Sequence, residues 1–304
     1  MTLAGIYMIG MKDPSNTEED IPIAEKWYQE AIEWLQEAEK LGSIEAKLIL
    51  GYMYSIGFKM PFKPEEAKKL FKEVNDKATK EKVITDKNAT KETTTADKET
   101  TEEMIKLARM ARRNIAILYH NSYIIKPLEW KNFIKISKPS DLTIDQLCNQ
   151  KLNLAIKWYE RSCELEDSQS AYHLGLLYES NFYESNDKIE ENKNKAEFWF
   201  DKAIQFDENN LYAKAKLGRI LINKIDIDGN EKTNGIQMLK DAAEGGLVMG
   251  QTFLGEAYER GQIGEKENCE EAIELYFKAA RQNHGYYSHI AQYRLRELRA
   301  LEYI

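Results

Sequence analysis

One pattern of small, aliphatic and aromatic positions recurs along the chain at helical spacing. Its clearest copy contains Ala46, Leu50, Gly51, Tyr54 and Gly57, at offsets of 0, 4, 5, 8 and 11 residues. Spacings of three and four residues place side chains on one face of a helix. Corresponding positions occur in Ala111, Ile115, Ala116 and Tyr119; Ser170, Leu174, Gly175 and Tyr178; Ala213, Leu217, Gly218 and Leu221; and Gly250, Leu254, Gly255, Tyr258 and Gly261. This recurrence predicts a stack of similar helices.

A second pattern follows the first and predicts the second helix of a pair. It consists of a small residue, two variable positions, two bulky residues and another small residue three positions later. Its copies are Ala67, Leu70, Phe71 and Val74; Ala155, Trp158, Tyr159 and Ser162; Ala196, Trp199, Phe200 and Ala203; Gly235, Met238, Leu239 and Ala242; and Ala272, Leu275, Tyr276 and Ala279. A further copy, Ala31, Trp34, Leu35 and Ala38, precedes the first complete repeat.

The glycines of the first pattern indicate where helices approach closely. Glycine inside a helix costs about 1 kcal/mol relative to alanine, so its repeated use needs a packing reason. We expect a neighbouring helix to press against Gly51, Gly175, Gly218 and Gly255. Gly57 and Gly261 are predicted to end helices in the left-handed conformation, which glycine adopts without a Cβ penalty.

These motifs resemble those of the Sel-one-like repeat (SLR) family, which is related to the tetratricopeptide repeats. The family motif is A-x3-L-G-x2-Y-x2-G followed by K-A-x2-W-Y-x2-A-A-x2-G. The most similar segments are AKLILGYMYSIG (46–57), AIKWYERSC (155–163), GQTFLGEAYERG (250–261) and EAIELYFKAA (271–280). The resemblance covers most of the chain, although Leu221 replaces the tyrosine and Ala116 the glycine. It implies an all-α, right-handed superhelical solenoid of antiparallel helix pairs.

The predicted organisation is a single SLR solenoid over residues 1–304 with two insertions. The expected repeat units are 1–42, 43–74, 104–166, 167–210, 211–246 and 247–283, followed by a capping helix at 286–304. Leu3, Ile6 and Tyr7 are expected to belong to a first helix. Each repeat of a solenoid contacts only its neighbours, so the length of 304 residues requires no division into separate domains.

The two insertions differ in composition. Segment 75–103 is rich in Thr, Lys, Asp and Glu, which predicts disorder or a marginal helix. The alternative is a segment that becomes ordered on a partner. Segment 123–153 contains Trp130 and Phe133 among several isoleucines and is predicted to be an ordered insertion packed on the solenoid. Its alternative is a lobe that binds a partner.

Charge and composition exclude several classes of function. A net charge of -8 argues against a nucleic-acid partner and favours a basic protein partner. No apolar run approaches the roughly 18 residues of a membrane span, so no transmembrane segment is expected. The N-terminus MTLAGIYMIGMKD has no basic region ahead of its apolar stretch. We therefore expect a cytoplasmic protein, or a periplasmic one if a signal peptide has been removed.

The sequence contains no recognisable catalytic or metal-binding motif. The four histidines show no HExxH or Cys-His spacing, and neither GxSxG nor a P-loop occurs. The three cysteines, Cys148, Cys163 and Cys269, have no paired spacing that would indicate disulfides. A protein without a cofactor, a metal or enzymatic activity is therefore expected. The alternative implied by the resemblance is a hydrolase of the β-lactamase-like SLR type, against which the absent cysteine pairs argue.

The resemblance implies that the first helix of each pair lines a concave groove. Residues expected to contact a partner there are Tyr52, Arg113, His120, Tyr172, Glu179, Tyr212, Arg219, Glu256, Arg260 and Tyr293, accompanied by Leu48 and Met110. Tyrosine and arginine are enriched in protein interfaces. Packing of some of these tyrosines between helices is the alternative. The SLR resemblance implies a protein-binding scaffold, for which we expect a bacterial adaptor or an immunity protein that neutralises a secreted toxin; a host-interaction factor is another possibility.

Overall fold

A computed structural model describes seven ranges of the chain, all built from helices and short turns. They are residues 20–88, 95–124, 144–180, 189–224, 229–264, 268–283 and 285–300. Contacts between residues divide the chain into two compact units, residues 1–165 and 166–304. Each unit is described by itself below.

Unit 1 contains five described helices, each packed against the next. They are α1 (Asp20–Lys40), α2 (Ile44–Ile56), α3 (Pro64–Asn88), α4 (Thr95–Ile124) and α5 (Ile144–Cys163). Helices α2 and α4, which carry the first sequence pattern, also contact one another. Their shared core contains Phe71 and Val74 from α3 and Ile115 and Leu118 from α4.

Unit 2 contains seven described helices with the same alternation. They are α6 (Ser168–Ser180), α7 (Ile189–Phe206), α8 (Leu211–Ile222), α9 (Gly229–Glu244), α10 (Val248–Glu259), α11 (Cys269–Arg281) and α12 (Gly285–Ala300). Consecutive helices pack together, and α10 also contacts both α8 and α12. We call α2, α4, α6, α8, α10 and α12 the A-helices and the others the B-helices. The predicted all-α fold of sequentially paired helices is confirmed.

Gly51, Gly175 and Gly255 lie where a B-helix ring approaches its A-helix, and Gly218 lies against Gly235 of α9. A Cβ atom added to Gly175 would lie 2.5 Å from Cε1 of Phe200. The corresponding distance is 2.7 Å between Gly51 and Phe71. Real Cβ atoms do not approach ring carbons this closely, so only glycine permits these contacts without a shift. The expected packing reason for these glycines is therefore confirmed.

The two adjacent bulky residues of each B-helix have different surroundings. The second residue of the pair is fully buried in α3, α5, α7, α9 and α11, as Phe200 is in α7. The first residue is partly buried in the same helices, and Trp34 of α1 is 77% exposed. The second bulky residue therefore carries the packing within a repeat.

Helix ends follow the local chemistry of the sequence. The side chains of Ser43 and Asn210 accept hydrogen bonds from the backbone of the residue three positions later, at 3.1 and 3.0 Å respectively. These bonds satisfy N–H groups that the first turn leaves without helical partners. At the opposite ends of α2 and α10, Gly57 and Gly261 have φ angles of 67° and 63°. Both adopt the left-handed conformation expected of them.

The described part of segment 75–103, for which the composition predicts disorder or a marginal helix, is helical. Helix α3 continues to Asn88, and α4 begins at Thr95. Ala78 is buried, and Arg112 Nε donates to Asn75 Oδ1 at 2.8 Å. These tertiary contacts hold the first part of the segment in a helix that its composition favours only weakly. Residues 89–94 lie outside the described residues.

The predicted ordered insertion and the expected first helix concern residues outside the described ranges. Residues 125–143, the greater part of the predicted ordered insertion, lie outside the described residues, as does the expected first helix at Leu3, Ile6 and Tyr7. Packing of the insertion on the repeats therefore stays a prediction.

A polar network joins the last three helices of unit 2. The hydroxyl of Tyr276 donates to Glu259 at 2.7 Å. Arg294 of α12 pairs with Glu259 and with Glu297. Burial and the bond to Glu259 raise the pKa of Tyr276. Because one carboxylate accepts from both α11 and α12, the network fixes α12 against the preceding helix pair.

Candidate functional site

Aromatic residues from neighbouring A-helices of unit 2 meet at the start of α6 and α8. The ring centroid of Tyr172 lies 5.9 Å from that of Tyr212 and 5.8 Å from that of Phe200. Burial is the main cause that raises the pKa of Tyr172. Electrostatic interaction with Tyr287 and Glu179 acts in the same direction. Tyr172 is therefore partly buried, whereas Tyr212 is 52% exposed.

Arg219 of α8 connects to α10 through two contacts. Its guanidinium lies 4.2 Å from the ring centroid of Phe253, and its Nη2 lies 3.4 Å from Glu256 Oε2. The ring of Phe253 in turn meets that of Tyr287 edge to face at 5.2 Å. Stacking on a ring and pairing with a carboxylate limit the rotamers of Arg219. Its side chain is consequently held in place before any partner binds.

Glu179 is neutralised within unit 2 by a buried lysine. The ammonium of Lys216 lies 2.7 Å from Glu179 Oε2. A cavity of about 540 Å³ adjoins this pair and is lined by charged residues of both signs, including Lys193, Glu197 and Arg219. Because Glu179 has an internal counter-ion, it offers a partner hydrogen-bonding capacity rather than net charge.

The other two predicted residues of unit 2 are Arg260, directly after α10, and Tyr293, in the middle of α12. Arg260 is exposed, and its backbone N–H donates to the carbonyl of Glu256. The hydroxyl of Tyr293 donates to Glu297 one turn along α12, at 2.5 Å. Tyr293 comes five residues after the buried Ser288, the spacing at which the other A-helices have glycine or alanine.

The three predicted residues of unit 1 differ in exposure. Tyr52 is exposed, Arg113 is partly buried, and Nδ1 of His120 lies 3.5 Å from the hydroxyl of Tyr159. Burial lowers the pKa of His120. The expectation that Leu48 lines the groove is wrong, because this residue is 6% exposed and belongs to the core between α2 and α4.

The lowered pKa of His120 predicts an acid-dependent loss of stability. Neutral His120 is favoured in the folded state, so the unfolded chain binds more protons once the pH falls below the ordinary value of 6.5. We expect stability to decrease as the pH falls through 6.5 and below, and His120→Gln to lose this component. Urea unfolding at several pH values measures the effect; parallel pH profiles for the two proteins would contradict it.

Sequence reasoning missed three residues of this site: Lys216, Phe253 and Tyr287. Lys216 and Phe253 each come three residues after the small residue that begins their repeat. The residue directly before the small one lies four positions earlier, about one helical turn away. The two side chains therefore share one face of the helix. Tyr287 directly precedes Ser288, as Tyr212 precedes Ala213. Recognising Ser288 as the small residue of α12 would have identified it.

A family model described as Sel1 repeat matches five segments: residues 3–43, 44–73, 148–167, 168–205 and 248–284. Together these segments comprise more than half of the chain. The chain belongs to the Sel1 repeat family. The predicted resemblance to SLR proteins is thereby confirmed. A comparison with curated proteins finds no match.

Two solved structures are similar to this chain. A Sel1 repeat protein from Oxalobacter formigenes matches with a TM-score of 0.53 and 19% identity, over 88% of this chain and 85% of that one. A protective antigen present in uropathogenic Escherichia coli strains and displaying an SLR fold matches with a TM-score of 0.45 and 20% identity. That match covers 89% of this chain but only 52% of the antigen. The Oxalobacter structure supports the fold alone.

The described helices and side chains of this Sel1 repeat protein were compared with the requirements of a membrane span and of a metal site. Within the ranges that the structure describes, no helix is both long and apolar enough to cross a membrane. In the same ranges, no three His, Cys, Asp or Glu side chains are grouped so that they could hold a metal ion. The matched family is a structural repeat, and such scaffolds generally bind proteins through the surfaces that their stacked helices create.

Proposed function

We propose that this Sel1 repeat protein is a non-catalytic scaffold that binds a protein partner through its A-helices. The observation that carries the proposal is that the exposed ring of Tyr212 pairs with that of Tyr172, while Arg219, seven residues further along α8, is held in place by Phe253 and Glu256. Tyrosine and arginine dominate the energetics of many protein interfaces. Holding Arg219 against Phe253 and Glu256 also reduces the entropy lost on binding.

Within that general role, we propose an adaptor or an immunity protein that neutralises a secreted toxin. The net charge of -8 favours a basic partner and faster association with it. The other proposed contacts in unit 2 are Glu179 of α6, Glu256 and Arg260 of α10 and its C-terminal end, and Tyr293 of α12. Tyr52, Arg113 and His120 are proposed contacts of unit 1.

Affinity capture with face variants tests this proposal. The full chain is compared with the Tyr172→Ala, Arg219→Ala double variant and with a Phe198→Ala, Lys202→Ala control. The control alters another ring and cation pair, on B-helix α7, where Lys202 lies 5.9 Å from the Phe198 ring. We expect the double variant to lose the specifically recovered partner and the control to retain it. Circular dichroism melting verifies that all three proteins fold; equal recovery by the double variant contradicts the assignment.

The immunity role makes a further demand on the recovered partner. That partner should inhibit growth when it is expressed alone, and co-expression with the wild-type chain should restore growth. If the recovered partner is not toxic, the immunity role is eliminated and the adaptor role remains.

A further inference from the structure

Four tyrosines of unit 2 form a surface that extends over three A-helices. We define the tyrosine surface as Tyr172, Tyr212, Tyr286 and Tyr287. The rings of Tyr286 and Tyr287 meet edge to face at 5.3 Å, and Tyr172 and Tyr212 form the second pair at 5.9 Å. Tyr286 is 73% exposed and Tyr212 is 52% exposed. The surface therefore presents large areas of aromatic ring to solvent.

Two other aromatic rings of unit 2 are covered by cations of the chain itself. Lys195 lies 5.4 Å from the ring centroid of Tyr178, and Lys202 lies 5.9 Å from that of Phe198. Among the described residues, no Lys or Arg lies over a ring of the tyrosine surface. The nearby Arg219 and Lys216 are engaged by Glu256 and Glu179. These tyrosines thus retain electron-rich faces that can attract an external cation.

The charge next to the tyrosine surface also favours a cation. Asp207 and Glu208 are exposed in the turn that leads into α8, five and four residues before Tyr212 respectively. The turn contains no basic residue, and the whole chain has a net charge of -8. A carboxylate close to an aromatic ring adds an electrostatic attraction to the one that the ring provides. A segment bearing positive side chains is therefore the complementary occupant.

We propose that the tyrosine surface binds lysine or arginine side chains of the protein partner, held over the exposed rings of Tyr212 and Tyr286. This inference rests on the proposed scaffold function and names the chemistry of the partner segment. Arginine is favoured over lysine, because its planar guanidinium stacks on rings and is more weakly hydrated than an ammonium. Asp207 and Glu208 contribute attraction in the approach of this segment.

Fluorescence anisotropy with labelled peptides tests this chemistry in the full-length chain. The probes are three ten-residue peptides of alternating arginine and glycine, glutamine and glycine, or proline and glycine. We expect the arginine peptide to bind most tightly and Tyr212→Leu to weaken it by about 3- to 10-fold, from the usual strength of a cation over a ring. Tyr212→Phe retains the ring and should keep wild-type affinity. Phe198→Leu removes an equally exposed ring from α7 and should also have no effect.

Several results would overturn the proposal. Equal affinity for the arginine and glutamine peptides would show that binding does not require positive charge. Preference for the proline peptide would indicate a neutral extended segment instead. If the Asp207→Asn, Glu208→Gln double variant loses affinity and Tyr212→Leu does not, binding depends on charge alone. The proposal would also be overturned if a second copy of the chain occludes the surface. A mass that depends on concentration in sedimentation would reveal this. The capture experiment is independent of all these outcomes, so the scaffold function can stand if the basic-segment proposal fails.

Discussion

Replacement of Phe200 by alanine is expected to lower the free energy of unfolding by about 3–5 kcal/mol. The side chain is fully buried between α7 and the A-helix α6, where its ring packs on Gly175. Truncation removes the ring contacts and leaves a cavity, because the neighbouring helices can collapse only partly. Urea-induced unfolding followed by far-UV circular dichroism measures the change.

Phe198 provides the matched control, since it precedes Phe200 by two residues in the same helix. It is 52% exposed, so Phe198→Ala is expected to change stability by less than about 1 kcal/mol. Similar losses for the two variants would show that Phe200 does not carry the packing between α6 and α7. A loss confined to one part of a biphasic curve would still support it, because repeat proteins can unfold in segments.

Gly175→Ala is expected to destabilise the protein by up to about 2 kcal/mol, despite the better helix propensity of alanine. The new Cβ would lie within 3 Å of three carbon atoms of the Phe200 ring, and overpacking of this kind costs about 1–3 kcal/mol. The gain in helix propensity offsets about 1 kcal/mol of that cost. Thermal and urea unfolding of the purified variant measure the net effect.

The control for this variant is Gly229→Ala at the beginning of α9. A Cβ atom there meets no other atom within 4 Å, so this change is expected to be neutral or slightly stabilising. A Gly175→Ala, Phe200→Leu double variant should lose less stability than the sum of the single changes, because the smaller side chain relieves the overlap. Additive losses would mean that the two positions do not contact each other in solution.

Much of the packing within each repeat was predictable from local spacing. Gly51 and Gly175 occupy the same position of their helices, and Phe71 and Phe200 occupy the same position of the next helix. Helical geometry converts this register into a defined face, so pairs of glycine and ring follow without knowledge of the wider structure. Tyr293 departs from this register, because it takes the glycine position of α12 and its ring is 58% exposed.

The candidate site depended on more than register. The sequence predicted that Tyr172, Tyr212 and Arg219 contact a partner. It did not predict the roles of Lys216, Phe253 and Tyr287. These three enter the site because α8, α10 and α12 lie close enough for side chains of different repeats to touch. Neutralisation of Glu179 by Lys216, 37 residues away, has the same origin.

The sequence by itself therefore determined the family, the helical pairs and the residues committed to packing within them. These features depend on spacings of a few residues along one helix, which the backbone geometry translates directly into shared faces. Only the tertiary structure decided that Leu48 is buried, that segment 75–88 continues α3, and that Arg219 is held between Phe253 and Glu256. Those outcomes depend on the distance and angle between helices, which arise from the packing of many side chains at once.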